Sequence, residues 1–514
     1  MLPSRQSPPL PQPPSAQLLF AKLADDVAGL IKQGSLRPGD RLPSVRRLSK
    51  DRKVSVATVL SAYERLEHAG LIEAKTKSGH FVRREPTYVS SAGEPLCTPR
   101  CRPPKLTLAP QKVSVSDGVK RLLDSMRDPQ VVPLGAAQMD ASLLPIKPLN
   151  RILSSIAREL STAGAHYELP EGLAVLRRQL AKRSVIWGAP MAAEDFIVTA
   201  GAMEGLLLAL RATARPGDTI AVATPTYFGI LQLVEEMGLK VIEVPTLPHT
   251  GLDLDALEVV LSEAPVRAVL GVTTFDNPMG SLMSDENRER LVRMLEKRDI
   301  PFIEDDIYGD LAFDGTRPRP AKAFDRKGLV IYTSSISKTI AAGYRVGWVV
   351  GGRYRETIER MKFTQNIATP TLLQMAVAEY FESGAYDRHL RHLRERIAKQ
   401  VGQYRAEVAR SFPAGTWISD PRGGFVLWIE LPAQVSGLEL QARAFEAGIA
   451  VAPGSIFSAR QRYASFIRLS CGAELSPRFL GAIGKLGELA ADLKARARSP
   501  VVSGPSLSGP TLRS

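Results

Sequence analysis

The residues most able to do chemistry lie in short strings that follow strand-like runs between residues 196 and 345. Ser335, Ser337 and Arg345 surround Lys338 with two hydroxyls and a guanidinium, a set that suits a phosphate dianion beside a reactive amine. Gly201 and Ala202 follow the run Phe196–Thr199 and open a helix at Met203, so their backbone N–H groups can serve the same phosphate. A lysine buried among such groups loses basicity and becomes a nucleophile able to form a Schiff base. Asp305, in the string Glu304-Asp305-Asp306, can keep a pyridine nitrogen protonated. Asn277 and Tyr308 can hydrogen-bond a ring hydroxyl, and Tyr227 can stack on the ring face. Each string alone has a bland reading: SxSK as a surface turn, Asn-Pro as a turn, EDD as a solvated acidic loop. In this order, at successive strand ends, they describe a site for pyridoxal 5′-phosphate.

Those groups need a scaffold that gathers strand ends. Strand-like runs at 196–199, 219–223, 268–273, 301–303 and 329–332 alternate with helical patterns, as in an α/β domain with a mainly parallel sheet. Ligands of such sheets bind outside the carboxyl ends of the strands.

A second set of motifs lies near the N-terminus. Leu19, Leu23, Val27, Leu30 and Ile31 repeat at helical spacing, with Gly34 at the end. Ser44 can cap a short helix that carries Val45 and Leu48 inward and Arg46 and Arg47 partly outward. Asp51-Arg52-Lys53 makes a turn. Ser55 can cap a further helix whose apolar stripe is Val56, Val59, Tyr63 and Leu66, leaving Ala57, Thr58, Ser61 and Arg65 off it. Strand-like pieces at 71–74 and 80–83 flank the basic hairpin Lys75–Gly79. Three helices with a basic hairpin form a helix-turn-helix with a wing, the shape of a major-groove reader; a small helical domain for protein contacts is the alternative.

Composition sets the frame. The chain has 514 residues and a net charge of +14. Residues 1–110 hold 18 Lys/Arg against 9 Asp/Glu, so most of the excess sits in this short segment, as a polyanionic partner requires. The three cysteines, Cys97, Cys101 and Cys471, are too few and too scattered for a disulfide framework, and no ligand cluster points to a metal. No apolar run is long enough to span a membrane, and the start MLPSRQSPPLPQPP lacks the core of a signal peptide, so the reading is of a soluble, cytoplasmic protein. Composition divides the chain into a disordered N-terminus (1–14), a winged helix-turn-helix (15–84), a Pro/Ser/Gly-rich linker (85–113), a large α/β domain (114–496) and a disordered tail (497–514).

Two resemblances follow. GSLRPGDRLPSVRRLS, VSVATVLSAYERLEHAGLIE and SGHFV closely resemble the winged-helix domain of the GntR family over residues 17–83. This implies that Arg41, Ser44, Arg46, Ser55, Ala57, Thr58, Lys77, Gly79 and His80 face double-stranded promoter DNA. Val56 and Ala57 stand where many relatives carry Arg or Asn, so thymine methyls, Arg46 or the wing would carry the readout. YELPEGLAVLRRQLA, TAGAMEGLLLAL, TPTYFGI, DNPMG, IEDDIYGDL, SSISKTIAAGYRVGW and FIRLS resemble the fold-type-I aminotransferases over residues 130–495. That fold is a mainly parallel central sheet with a smaller C-terminal subdomain.

By this resemblance Lys338 is the catalytic lysine that carries pyridoxal phosphate, and Asp305 pairs with its ring nitrogen. Asn277 and Tyr308 bind the ring oxygen, Arg468 holds an α-carboxylate, and Tyr167 lies near the site or reaches the partner subunit's. Met203, which the resemblance also places against the cofactor, stands where many relatives have Gln or another polar residue. The two domains in this order resemble the MocR-type regulators, which implies a homodimer, domain-swapped, that senses pyridoxal phosphate or its aldimine with an amino acid or amine. A catalytically competent aminotransferase carrying a DNA-binding domain is the alternative, since Lys338, Asp305 and Arg468 are all retained.

Overall fold

The computed structural model describes residues 16–32, 36, 40–52, 54–68, 72–75, 79–82, 104–125, 127–160 and 166–497. The chain divides into two units, residues 1–87 and 88–514. Lys77 and the proposed terminal segments fall outside the described residues.

In the first unit, α1 (Ala16–Lys32), α2 (Val45–Arg52) and α3 (Val56–His68) precede the two-stranded wing β1 (Ile72–Lys75) and β2 (Gly79–Val82). The core is Leu23, Val27, Leu42, Leu48, Val59, Tyr63, Leu66, Ile72 and Val82, one apolar stripe from each helix closed by the wing. The Ser44 and Ser55 hydroxyls cap α2 and α3, accepting from the N–H groups of Arg47 (3.3 Å) and Thr58 (3.0 Å). Two local expectations change. Asp51 and Arg52 complete α2 instead of forming a turn. Val56 leaves the buried stripe: at the first turn of α3 it is 46% exposed, and Ala62 takes a place in the core. The 40–42 segment also bridges to the wing beside Arg41 and Phe81, with Leu42 N–H on His80 O and Val82 N–H on Asp40 O.

The second unit is built on a nine-stranded sheet. Its strands are β3 (Gln111–Lys112), β4 (Phe196–Thr199), β5 (Thr219–Thr224), β6 (Lys240–Leu247), β7 (Gly251–Leu252), β8 (Val266–Gly271), β9 (Phe302–Asp305), β10 (Val330–Ser335) and β11 (Gly347–Val350). The order is β3-β6-β5-β8-β9-β10-β11-β4, with β7 on β6; β6, β5, β8, β9 and β10 are parallel, and β11 runs against both neighbours. The central strands are buried along their whole length, as parallel strands covered by helices on both faces must be. A second, antiparallel sheet of β12 (Trp417–Ile418), β13 (Val426–Glu430), β14 (Ala452–Pro453) and β15 (Phe466–Ser470) forms the C-terminal subdomain. Composition placed residues 104–113 in the linker, yet β3 pairs with β6 and Leu106 and Leu108 pack on the core. Two apolar residues and one strand pairing outweigh the local proline content.

Candidate functional site

A cavity of about 510 Å³ opens where the carboxyl ends of β4, β5, β8, β9 and β10 converge. Of the residues singled out from sequence, it is lined by Ala202, Met203, Tyr227, Asn277, Asp305, Tyr308, Ser337, Lys338 and Arg345. Gly201, Ser335 and Arg468 stand directly behind this lining. Ser335 lies 3.1 Å from the Ser337 hydroxyl, and Arg468 donates to Asn277 Oδ1 at 3.0 Å. Tyr167 is not brought in: it is 84% exposed on the surface of the chain.

The turn after β4 needs glycine. Gly201 has φ of 87°, and a side chain there would overlap the Arg345 guanidinium. Arg345 itself adopts a left-handed backbone and donates to Ala200 O at 2.8 Å. The helix Ala202–Thr213 starts beside it, so backbone donors, hydroxyls and a guanidinium share one corner.

The cavity also holds charge under burial. Lys338 Nζ donates to Ala137 O at 2.6 Å. Burial, reinforced by the positive charges of Arg468 and Arg345 and opposed by Asp305, lowers the amine to about 8. Burial and the neighbouring Asp306 carboxylate raise Asp305 to about 7. Asp305 Oδ1 is buried without a hydrogen-bond partner. Asp306 is held away from the cavity by Arg317 (2.6 Å) and the Tyr332 hydroxyl (3.0 Å). Tyr308, pushed up by burial, hydrogen-bonds Asn277.

Arg468 is completely buried, which lowers its pKa to about 10. Besides Asn277, it donates to the carbonyl of Gly135. The segment Gly135–Gln138 lines the cavity and covers both Arg468 and Lys338 with carbonyl oxygens. Sequence reasoning missed this segment; its only signal was the small-residue run Gly135-Ala136-Ala137. A side chain on Gly135 would lie 2.9 Å from Leu122 Cδ1 and 3.0 Å from the Val451 backbone, so this approach is open to glycine alone.

In the winged unit, Arg41 and Arg46 are exposed, as are Ser44, Ser55, Ala57 and Gly79, and Thr58 is half-buried. The Arg41 guanidinium lies alongside Gly79 of the wing. Val56 and Leu60 add exposed apolar surface to α3. His80 turns back onto its own domain, with its ring 4.8 Å from that of Tyr63 and 3.8 Å from the Glu67 carboxylate.

A family model for aminotransferase class I and II matches residues 129–481, more than half of the chain. A model for bacterial regulatory proteins of the gntR family matches residues 19–82. The chain belongs to the MocR kind of HTH-type transcriptional regulators. Among its relatives are the uncharacterized HTH-type transcriptional regulators YjiR and YdcR of Escherichia coli (strain K12), 37% and 33% identical; each alignment covers 91% of this chain and 98% of the relative. Solved structures share the fold of the large unit. The multiple substrate aminotransferase from Thermococcus profundus superposes with a TM-score of 0.69 at 26% identity, covering 74% of this chain and 95% of that one. The α-aminoadipate aminotransferase LysN from Thermus thermophilus, complexed with N-(5′-phosphopyridoxyl)-L-leucine, gives 0.67 at 26%, covering 75% and 100%. This regulator therefore joins a GntR helix-turn-helix domain to an aminotransferase-type domain of a class whose members use pyridoxal phosphate. Among the described residues, no helix is long and apolar enough to cross a membrane.

Proposed function

We propose that this regulator binds pyridoxal phosphate at Lys338 and reads an amino acid or amine there, converting its presence into altered binding of promoter DNA. The observation that carries the reading is the unpartnered oxygen of Asp305 in the same cavity as the amine of Lys338. A buried carboxylate oxygen without a donor is costly unless a ligand supplies one, and a ring N–H is such a donor. The glycine-lined corner at Gly201 and Arg345 fits a phosphate.

Bound there, pyridoxal phosphate supplies an aldehyde carbon that combines reversibly with amines. The chain's residues do the rest. Ser335, Ser337, Arg345 and the N–H groups of Gly201 and Ala202 hold the phosphate. Asn277 and Tyr308 hold the ring hydroxyl, Tyr227 covers the ring, and Met203 fills the wall beside it. Asp305 keeps a proton on the ring nitrogen. Lys338, with its lowered pKa, offers a neutral amine at mildly alkaline pH. Arg468 holds an effector's carboxylate through its planar fork, whose Nε has no partner in the chain.

The DNA face comprises Arg41, Ser44, Arg46, Ser55, Ala57, Thr58 and the wing at Lys77 and Gly79, while His80 packs on Tyr63 and Glu67 of its own domain and braces the wing. Two copies of the chain form a domain-swapped homodimer in the cytoplasm, with Tyr167 at or near the partner's site. An effector acts only if it binds two states of this dimer with different affinity. The test is promoter affinity of the full chain with pyridoxal phosphate and a panel of amino acids and amines. Wild type should respond to at least one compound, and Lys338→Ala to none. A Lys338→Ala protein that responds like wild type would refute the reading.

A further inference from the structure

Two charged residues that the proposed site does not use are buried beneath its phosphate corner. Lys362, on the helix Arg355–Asn366, is completely buried, and Glu204, on the first turn of Ala202–Thr213, is 8% exposed. Their charged atoms lie 3.6 Å apart. Glu204 Oε1 also accepts from Asn366 Nδ2 at 2.6 Å, and Lys362 donates to Asn366 Oδ1 (3.0 Å) and Thr369 Oγ1 (3.1 Å). The second carboxylate oxygen, Glu204 Oε2, accepts the backbone N–H of Ala200 at 2.5 Å. The carbonyl of Ala200 in turn accepts from Arg345 at 2.8 Å.

A carboxylate in the first turn of a phosphate-binding helix is at first sight misplaced, because it adds negative charge where an anion should bind. Here it takes up the N–H of Ala200, and a buried ammonium offsets its charge. Burial disfavours the charged lysine, so the pair exists because each partner compensates the other. Ala200 is thus gripped on both sides, its N–H by Glu204 and its carbonyl by Arg345.

We infer that Glu204 and Lys362 are positioning residues that fix the Ala200 backbone and, through it, the guanidinium of Arg345 that meets the cofactor's phosphate. The inference rests on the reading of the cavity as a pyridoxal phosphate site. It makes Glu204 and Lys362 specific for the phosphate group: they touch neither the ring site nor Lys338.

The test compares pyridoxal phosphate with pyridoxal, which lacks the phosphate, in titrations of the full chain followed by absorption. Wild type must first bind pyridoxal phosphate; if it does not, the reading of the cavity fails and not the relay. Glu204→Ala should weaken pyridoxal phosphate by about tenfold or more, the effect of one charge-assisted hydrogen bond, while pyridoxal changes by less than about twofold. Lys362→Met strands the buried carboxylate and should show the same selective loss. Adding Glu204→Gln to Lys362→Met removes the stranded charge and should recover most of the affinity. Because Lys362→Met risks misfolding, Glu204→Ala carries the test if that variant does not fold. Equal weakening of both ligands in a folded single variant, or loss of neither there, would overturn the assignment, as would a folded double variant still defective for pyridoxal phosphate alone.

Discussion

Arg468 donates to the side-chain oxygen of Asn277 across 3.0 Å, so the guanidinium proposed to hold an effector's carboxylate is tied to the amide proposed to hold the cofactor's ring oxygen. Its other terminal nitrogen is occupied by the Gly135 carbonyl. Its Nε is buried without a partner, so an incoming carboxylate would find one unused donor and compete with the Gly135 carbonyl for a second. Arg468→Lys removes the planar fork, and losing such a pair in a desolvated site costs about 2–5 kcal/mol of effector binding. Cofactor retention should change far less, since the phosphate and Lys338 contacts remain. Cofactor spectra and promoter response on one preparation check this. A variant that responds to every carboxylate-bearing effector as wild type does would remove Arg468 from the role.

Cofactor capture should accelerate with pH. Lys338 has an ordinary value of 10.5 and is lowered to about 8, chiefly by burial. Below that value the amine carries a proton and has no lone pair to offer; above it the neutral nucleophile predominates. The rate of colour formation on adding pyridoxal phosphate should therefore rise between about pH 6.5 and 8.5 and level off beyond, whereas an unperturbed lysine would keep the rate climbing about tenfold per pH unit up to about pH 10. Stopped-flow absorbance distinguishes the two curves.

The DNA face should read thymine methyls. Val56, 46% exposed, and Leu60, 43% exposed, stand one turn apart on α3 with Ala57 exposed beside Val56, so the helix offers apolar surface where a donor would be usual. Replacing thymine by uracil within the half-site removes only methyl groups and should cost about 1 kcal/mol for each contacted methyl. Fluorescence anisotropy on the substituted operators reads this. Affinity indifferent to every such replacement would leave the readout to Arg46 and the wing.

Arg46 should contribute to positioning rather than to sequence choice. It is exposed on α2, outside the hydrophobic core. Arg46→Ala should weaken specific and non-specific DNA alike and reduce the slope of log affinity against log salt by about 1, as expected on losing a single phosphate contact. A loss confined to one base position would instead make it a base reader.

Much of this was legible because the chemistry sits at strand ends, and strand ends are marked in sequence by the change from apolar runs to Gly, Pro, Asn, Asp and Ser. Nine of the residues singled out, from Ala202 to Arg345, line one cavity although 143 positions separate the first from the last. Of the cavity's own lining, the residues that escaped act through backbone atoms. Gly135 and Ala137 contribute carbonyls, and a carbonyl has no residue type to recognise. Val56 misled because periodicity records which face a residue occupies but not whether a neighbouring element covers that end of the helix. Tyr167 is exposed within one chain, so the role proposed for it would need a second copy, which one sequence does not arrange.

A homodimer should be detectable directly. A single winged module buries only about 600–1,000 Å² on DNA, and two on one assembly gain by effective concentration. Sedimentation of the full chain at micromolar concentration should give a dimer, and operators with two half-sites should bind far more tightly than those with one. A monomer that shows no preference for paired half-sites would contradict this arrangement.

The central claim is that Lys338 carries pyridoxal phosphate in a DNA-binding regulator, and peptide mapping after borohydride reduction tests it most directly. The purified full chain, incubated with pyridoxal phosphate and reduced, should lose its visible absorption and yield one dominant modified peptide containing Lys338, beside the unpartnered carboxylate oxygen of Asp305. Lys338→Ala should yield no such peptide. Label spread over surface lysines, or an unmodified Lys338 in a protein that still answers its effector, would contradict the account.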